Sequence, residues 1–426
     1  MRTPKKIGPY SYYDYCRFCL STAVIPVVNL GNVPLAGGFI KKERDLPNEK
    51  LYPLELIFCK HCFLLQTSVA VSPDTLFKNY FYYTSAIKTL VDHFVSFADQ
   101  LSKRYKTPKD KFIVEIGCND GVFLLAAKKK GFSVLGIDPA TNIVSGLIKK
   151  GYPIIDDYFT YSLSKKIVKQ HGQADIIISS NTMAHIEDMH TVINGVKNLL
   201  KKDGIFVFEV HYLGNLIEKM QFDMIYHEHH YYYSLRTLQR FFKNFDLEIF
   251  DITQIPIHGG SIRYYVQHKK TGKNKITKAV KELVTWEKQK KLHLAKTFIQ
   301  FNTEIKKAKK GLVRLISRIK KQKKTVFGYG ASGRGTILFN YSRLTKDIMP
   351  FIIDDAKAKQ HAYMPGTHQK ISSSEILYTK KPNYVILSAW SFVEEIKNKH
   401  SQYLKNGGKF IIPLPKLKIL SNEKAT

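Results

Sequence analysis

At 426 residues the chain exceeds what one hydrophobic core usually supports, and two or three domains are expected. With 44% apolar and 12% aromatic residues it is not a disordered chain, and no apolar run reaches the roughly 18 to 20 residues that cross a bilayer. Sixty-seven Lys and Arg against 35 Asp and Glu give a net charge of +32, which invites polyanions, yet the lysines are dispersed along the chain rather than gathered in one arm and read as solvated faces.

The first residues, MRTPKKIGPY, lack the apolar stretch of a secretion signal, so a cytoplasmic protein is expected. Four of the five cysteines then form two C-x-x-C pairs, Cys16 with Cys19 and Cys59 with Cys62. Two such knuckles present four soft thiolates, the set that zinc prefers. A closed four-thiolate shell leaves no open position, so the zinc is structural; His61, inside the second pair, is surplus to the count.

Residues 111 to 121, KFIVEIGCNDG, read as a β-branched strand, a tight glycine turn and the start of an amphipathic helix. Glycine lets backbone approach a ligand closely, and the amide groups of a helix start favour its polar end. Seventeen residues after Gly121 a second strand ends in Asp138, where a carboxylate suits the two hydroxyls of a ribose. Further apolar runs at 174 to 188 and 204 to 210, with a helical stretch between them, complete a β-α alternation that predicts a parallel sheet. Of the two nucleotide folds with distal acids, E-x-G-x-N-x-G with a later strand ending in Ser-Asn is the methyltransferase form; an NAD fold is the alternative.

Next come Tyr226, His227, Glu228 and His229, acid–base types packed into four residues. On an extended strand Tyr226 and Glu228 would share one face, His227 and His229 the other. H-E-H lacks the i, i+4 histidines of a helical zinc site. HGGS at 258 to 261 reads as a turn between two strands, its paired glycines marking either a hairpin bend or close backbone approach to a sugar. Residues 271 to 324 are Lys-rich with spaced apolar positions, which predicts helices with one buried stripe. Finally FGYGASGRG carries Gly328, Gly330 and Gly333 between a strand and a helix, a fingerprint that serves any diphosphate, and Arg334 adds a fixed charge suited to nucleotide-sugar phosphates.

The sequence resembles the sugar C-methyltransferases of deoxysugar biosynthesis over nearly its whole length. The segments that carry the likeness are CRFC with NLGNVPLAGGF, YPLELIFCKHCFLLQ, YYTS at 82 to 85, EIGCNDG, IDPA, YHEHHYYYS at 226 to 234, HGGSIRYYV at 258 to 266 and FGYGASGRG. The resemblance implies an α/β protein: a zinc-binding module at 10–75, a class I S-adenosylmethionine methyltransferase domain at 76–270, a helical connection at 271–324, and a Rossmann-like nucleotide-sugar domain at 325–418 that works without NAD. It implies S-adenosylmethionine held by Glu115, Gly117, Asn119, Gly121, Asp138 and Asn181. His211, where the family pattern has proline, is a departure in that pocket wall.

Carbon–carbon bond formation with a sulfonium methyl needs a carbon nucleophile, which a sugar offers only beside a ketone; an enolate is therefore expected. By resemblance His229 is the general base, with His227 its nearest rival. Tyr226 and Glu228 orient the base or the sugar, and Tyr82 contributes from the zinc-module side. His185, His258, Gly259, Gly330 and Arg334 are the expected substrate contacts. The expected partner is a nucleotide sugar, with neither membrane nor nucleic acid, and the expected state is monomer or homodimer. Two rivals stand beside this reading: a nucleic-acid methyltransferase with a zinc module, and an NAD-dependent oxidoreductase using the C-terminal fingerprint.

Overall fold

Four sheets organise the chain in a computed structural model that describes residues 2–77, 80, 82–105 and 108–422. The largest has seven strands in the spatial order Leu247–Ile255, Ser261–His268, Leu200–His211, Ala174–Ser180, Phe112–Ile116, Ser133–Ile137 and Ile154–Ile155. The last five are mutually parallel, and Ser261–His268 runs antiparallel to both its neighbours. The central strands are sealed on both faces, which is why they read as unbroken apolar runs and not as alternation: Ile176, Ile177 and Ile178 are all 0% exposed.

A second open sheet follows near the C-terminus, in the order Lys370–Ser372, Phe351–Ile353, Val326–Tyr329, Tyr384–Leu387, Lys409–Ile412 and Lys418–Leu420, parallel except for its last strand. Between the two lies the helix Ala295–Lys321, 27 residues long, whose buried positions Phe298, Phe301, Ile305, Leu312, Ile316 and Ile319 recur every three, four or seven residues. That stripe joins one apolar core with residues of the N-terminal and C-terminal sheets, and Phe298 meets Phe58 at 5.0 Å between ring centroids. The lysines lie on the outward side, as the sequence pattern implies.

The N-terminal part forms two small antiparallel sheets, one of Lys5–Ile7, Tyr10–Tyr12 and Val69–Val71, the other of Val24–Val33, Tyr52–Cys59 and Leu65–Thr67. The second contains a strand from far away: Tyr231–Tyr232 pairs antiparallel with Leu65 and Gln66. The chain thus leaves the seven-stranded sheet after His211, completes the N-terminal sheet, and returns through the helix Leu235–Lys243 to Leu247. A division into consecutive segments does not capture this exchange. Its physical basis is the aromatic run of Tyr231, Tyr232 and Tyr233, each 0% exposed: strand alternation sends Tyr231 and Tyr233 onto Phe18 in one core and Tyr232 into another. Among the described residues no helix is long and apolar enough to cross a membrane.

Candidate active site

The four N-terminal cysteines converge. Their Sγ atoms all lie within 4.8 Å of one another, with Cys16 to Cys62 at 3.4 Å and Cys19 to Cys59 at 3.5 Å, and none is in a disulfide. Four thiolates at this spacing fit a tetrahedral zinc and leave it no open position. His61 is outside the cluster.

A cavity of about 1830 Å³ opens where the seven-stranded sheet, the N-terminal part and the C-terminal sheet meet. One wall is the glycine loop after Phe112–Ile116. Gly117 has φ +76°, and a Cβ there would lie 2.1 Å from Thr182 Oγ1, so only glycine fits. Asn119, with φ +50°, donates from its backbone to Asp138 Oδ2 at 2.8 Å and from Nδ2 to the Tyr82 carbonyl at 2.9 Å. The other Asp138 oxygen accepts from Ala140 N at 2.9 Å.

Burial and the neighbouring Asp138 carboxylate push the Glu115 carboxyl well above its usual range, and its Oε2 is buried without a protein partner. An orphaned carboxyl oxygen, a bare glycine and a pinned distal carboxylate in one wall are the donor set that S-adenosylmethionine needs, and they fit it. Asn181 (φ +56°) lines the cavity beside them, its backbone donating to the Glu209 carbonyl at 2.6 Å. Gly121 departs from expectation: it does not line the cavity, and its positive φ and its packing 2.8 Å (as a notional Cβ) from Leu147 serve the start of the following helix.

The opposite wall carries the acid–base cluster. Residues 226–229 form a turn, not a strand, closed by His229 N donating to the Tyr226 carbonyl at 2.9 Å. The turn overrides the two-residue alternation: Tyr226, Glu228 and His229 all line the cavity, whereas His227 turns to the Pro53 carbonyl (3.1 Å) and the Tyr52 ring. His229 Nδ1 lies 2.9 Å from the Met224 carbonyl, an acceptor, so Nδ1 carries the proton and Nε2 is left with its lone pair. Burial holds this imidazole well below the usual histidine range and therefore neutral. Its ring packs against Tyr226 at 4.0 Å, His211 at 4.3 Å and His185 at 5.1 Å. Burial also lifts Glu228 to about 7 and lowers His185 to about 4.

Tyr82, His258 and Gly259 complete the lining. Gly259 has φ +82° and a notional Cβ there would lie 2.2 Å from Gln221 Nε2, so the hairpin glycines serve a close approach within the chain. Gly330 does not reach the cavity; a Cβ on it would lie 2.6 Å from Ser388 Oγ. Arg334 does line it, but its charge is already taken: Nε donates to Asp223 Oδ2 at 2.9 Å and Nη2 to Oδ1 at 3.2 Å. Asp223 is fully buried and also accepts from Trp390 Nε1 at 2.8 Å. Sequence reasoning had no means to pair residues 111 positions apart. It also passed over Lys219 and Lys359 in the wall, which carry no motif.

The strand order, with one antiparallel strand beside the edge, and the glycine loop facing a distal aspartate define an S-adenosylmethionine-dependent methyltransferase. Three families match in sequence: a zinc binding domain at residues 16–77, a methyltransferase domain at 87–252 and a C-methyltransferase C-terminal domain at 256–415. The C-methyltransferase NovU of Streptomyces niveus is 32% identical over 410 residues, 96% of this chain and 97% of that one. The chain belongs to the C-methyltransferase family. A mitochondrial ubiquinone biosynthesis O-methyltransferase of Bos taurus is 31% identical over 97 residues, 22% of this chain and 26% of that one. Among solved structures, magnesium protoporphyrin IX methyltransferase of Synechocystis with bound SAM covers 42% of this chain and 77% of its own, at 12% identity and a TM-score of 0.31.

Proposed function

We propose that this C-methyltransferase acts on a nucleoside-diphosphate keto-deoxysugar, methylating C-3 next to a C-4 ketone through an enolate. The observation that carries the reading is His229: a buried, neutral imidazole whose Nδ1 is committed to a backbone carbonyl and whose Nε2 is free to accept a proton in the cavity. The full-length likeness to NovU supports the C-methyl outcome, and the size of the cavity accommodates a nucleotide sugar beside the cofactor.

Bound S-adenosylmethionine supplies an electrophilic methyl group. Glu115, Gly117, Asn119, Asp138 and Asn181 would hold it, with the Asp138 carboxylate as the group suited to the ribose hydroxyls. His229 Nε2 takes the proton from the carbon α to the ketone. Tyr226 packs against the base and fixes its ring plane, and Glu228, at about 7, offers a hydrogen bond to the sugar in either protonation state. His185, stacked on Phe77 at 5.6 Å, closes the floor. Cys16, Cys19, Cys59 and Cys62 would hold a zinc that braces the N-terminal sheet, whose edge pairs with the strand just after the base-bearing turn.

The test is methyl transfer from labelled S-adenosylmethionine to thymidine- and guanosine-diphosphate 4-keto-deoxysugars and to bulk RNA, read by mass spectrometry. A sugar product one methylene heavier, with solvent deuterium exchange at the α-carbon that His229→Ala abolishes, is expected. Label in RNA with the sugars untouched would overturn the reading.

A further inference from the structure

His211 is a buried polar side chain that nothing in the protein satisfies. It ends the strand Leu200–His211, is 6% exposed and lines the cavity. No described residue hydrogen-bonds its ring, and Nε2 is sealed without a partner. A buried imidazole left so costs about 1–3 kcal/mol, which an apolar residue of like volume would avoid. Packing alone therefore does not account for a histidine here; the sealed Nε2 is beyond a ligand's reach, and Nδ1 is the ring nitrogen that can meet a molecule bound in the cavity.

The ring lies 4.3 Å from that of His229 at an interplanar angle of 28°. Two near-parallel imidazoles in one cavity wall address neighbouring atoms of one bound molecule. Resting on the keto-sugar reading above, we propose that His211 is a second catalytic residue, donating its Nδ1–H to the ketone oxygen while His229 removes the adjacent α-proton. Burial, with the neighbouring His185 and His258, lowers His211 to about 3, so it donates as neutral imidazole and does not surrender its proton.

The step balances within the proposed reaction. The C–H bond breaks, its proton passing to His229 Nε2 and its electron pair becoming the C=C bond. The carbonyl π pair moves onto oxygen, where the His211 N–H meets the developing charge. When the carbon takes the methyl group, the carbonyl re-forms, the C–S pair leaves with sulfur, and the proton on His229 is lost to solvent.

His211→Phe keeps the stack and the volume without the donor, and His211→Asn restores a shorter one. Each is compared with wild type for kcat and for α-carbon deuterium exchange in the presence of S-adenosylhomocysteine, with cofactor affinity reporting the fold. Expected are a fall of about 10²–10³-fold in both rates for the Phe variant, unchanged cofactor affinity, and partial recovery in the Asn variant. Rates within threefold of wild type in the Phe variant, on sugars the wild type methylates, would overturn this proposal alone. A wild type that leaves keto sugars untouched would overturn the parent reading and this one together. Should the Phe variant not fold, the ¹⁵N imidazole resonances of wild type decide: the keto sugar with S-adenosylhomocysteine is expected to shift the His211 N–H, and an unmoved resonance would refute the contact.

Discussion

Two glycine-rich loops in this chain follow the same plan and end differently. In the first, Asp138 pins the loop by accepting from Asn119 N at 2.8 Å and Ala140 N at 2.9 Å. In the second, Asp354 does the same with Ala331 N at 2.8 Å and Ala356 N at 2.9 Å. The loops part company at their mouths. Around the first, Glu115 Oε2 has no partner and Gly117 faces the cavity. Around the second, Lys359 donates to the Ala331 carbonyl at 2.7 Å and Arg334 is clasped by Asp223. The first loop leaves a buried polar group without a protein partner; the second, though Ser332 and Gly333 line the same cavity, spends its charged groups within the protein, docking the C-terminal sheet against the segment that precedes residues 226–229. A glycine fingerprint thus reports a backbone shape, and the polar groups left over report whether that shape holds a ligand.

The comparison can be broken from either side. The largest effect is expected from zinc, which holds the N-terminal sheet beside both loops: Cys59→Ser, or a strong chelator, should abolish folding of that sheet and all activity, as read by circular dichroism, zinc content and methyl transfer. Next is the chemistry opposite the first loop, where His229→Ala should lower kcat by about 10²–10⁴-fold with cofactor affinity retained.

The second loop's clasp comes third. Asp223→Ala would strand the Arg334 guanidinium, only 15% exposed, and should cost about 3–5 kcal/mol in chemical denaturation, while the isosteric Glu115→Gln should instead weaken cofactor binding at near-constant stability. If both substitutions acted on stability alone, the contrast between the loops would be void.

The smallest effect is on pH dependence. Because burial disfavours the charged form of His229, the base stays deprotonated until well below the usual 6.5. The acid limb of kcat/KM is therefore expected well below that value, and a limb at 6.5 would place the base elsewhere.

Local signals were the legible ones. The cysteine pairs, the strand–loop–helix at Phe112 to Lys129 and the apolar stripe of the long helix depend on residues close in sequence, and each stands in the structure where spacing put it. The acid–base cluster was legible in composition but not in geometry, because a turn closed by one backbone hydrogen bond replaced the assumed strand and sent His227 away from the cavity. Wholly hidden were the long-range pairings: Asp223 with Arg334, and the seating of Tyr231–Tyr232 on the N-terminal sheet. Neither leaves a periodic trace, since each is set by which surfaces meet after the local elements exist.

The crossing strand Tyr231–Tyr232 has a consequence for how the protein comes apart. His229 sits two residues before a strand that belongs to one sheet, on a segment whose other end leaves a second. Loosening the N-terminal sheet withdraws the base even while the cofactor loop stays intact. On the mechanism proposed above, a half-opened molecule would retain its methyl donor but lose its base, so partial unfolding would silence the chemistry before any reactive intermediate met water. For the same reason the two sheets are not interchangeable cassettes: cutting the gene between them severs a shared edge, and neither product would carry a working site.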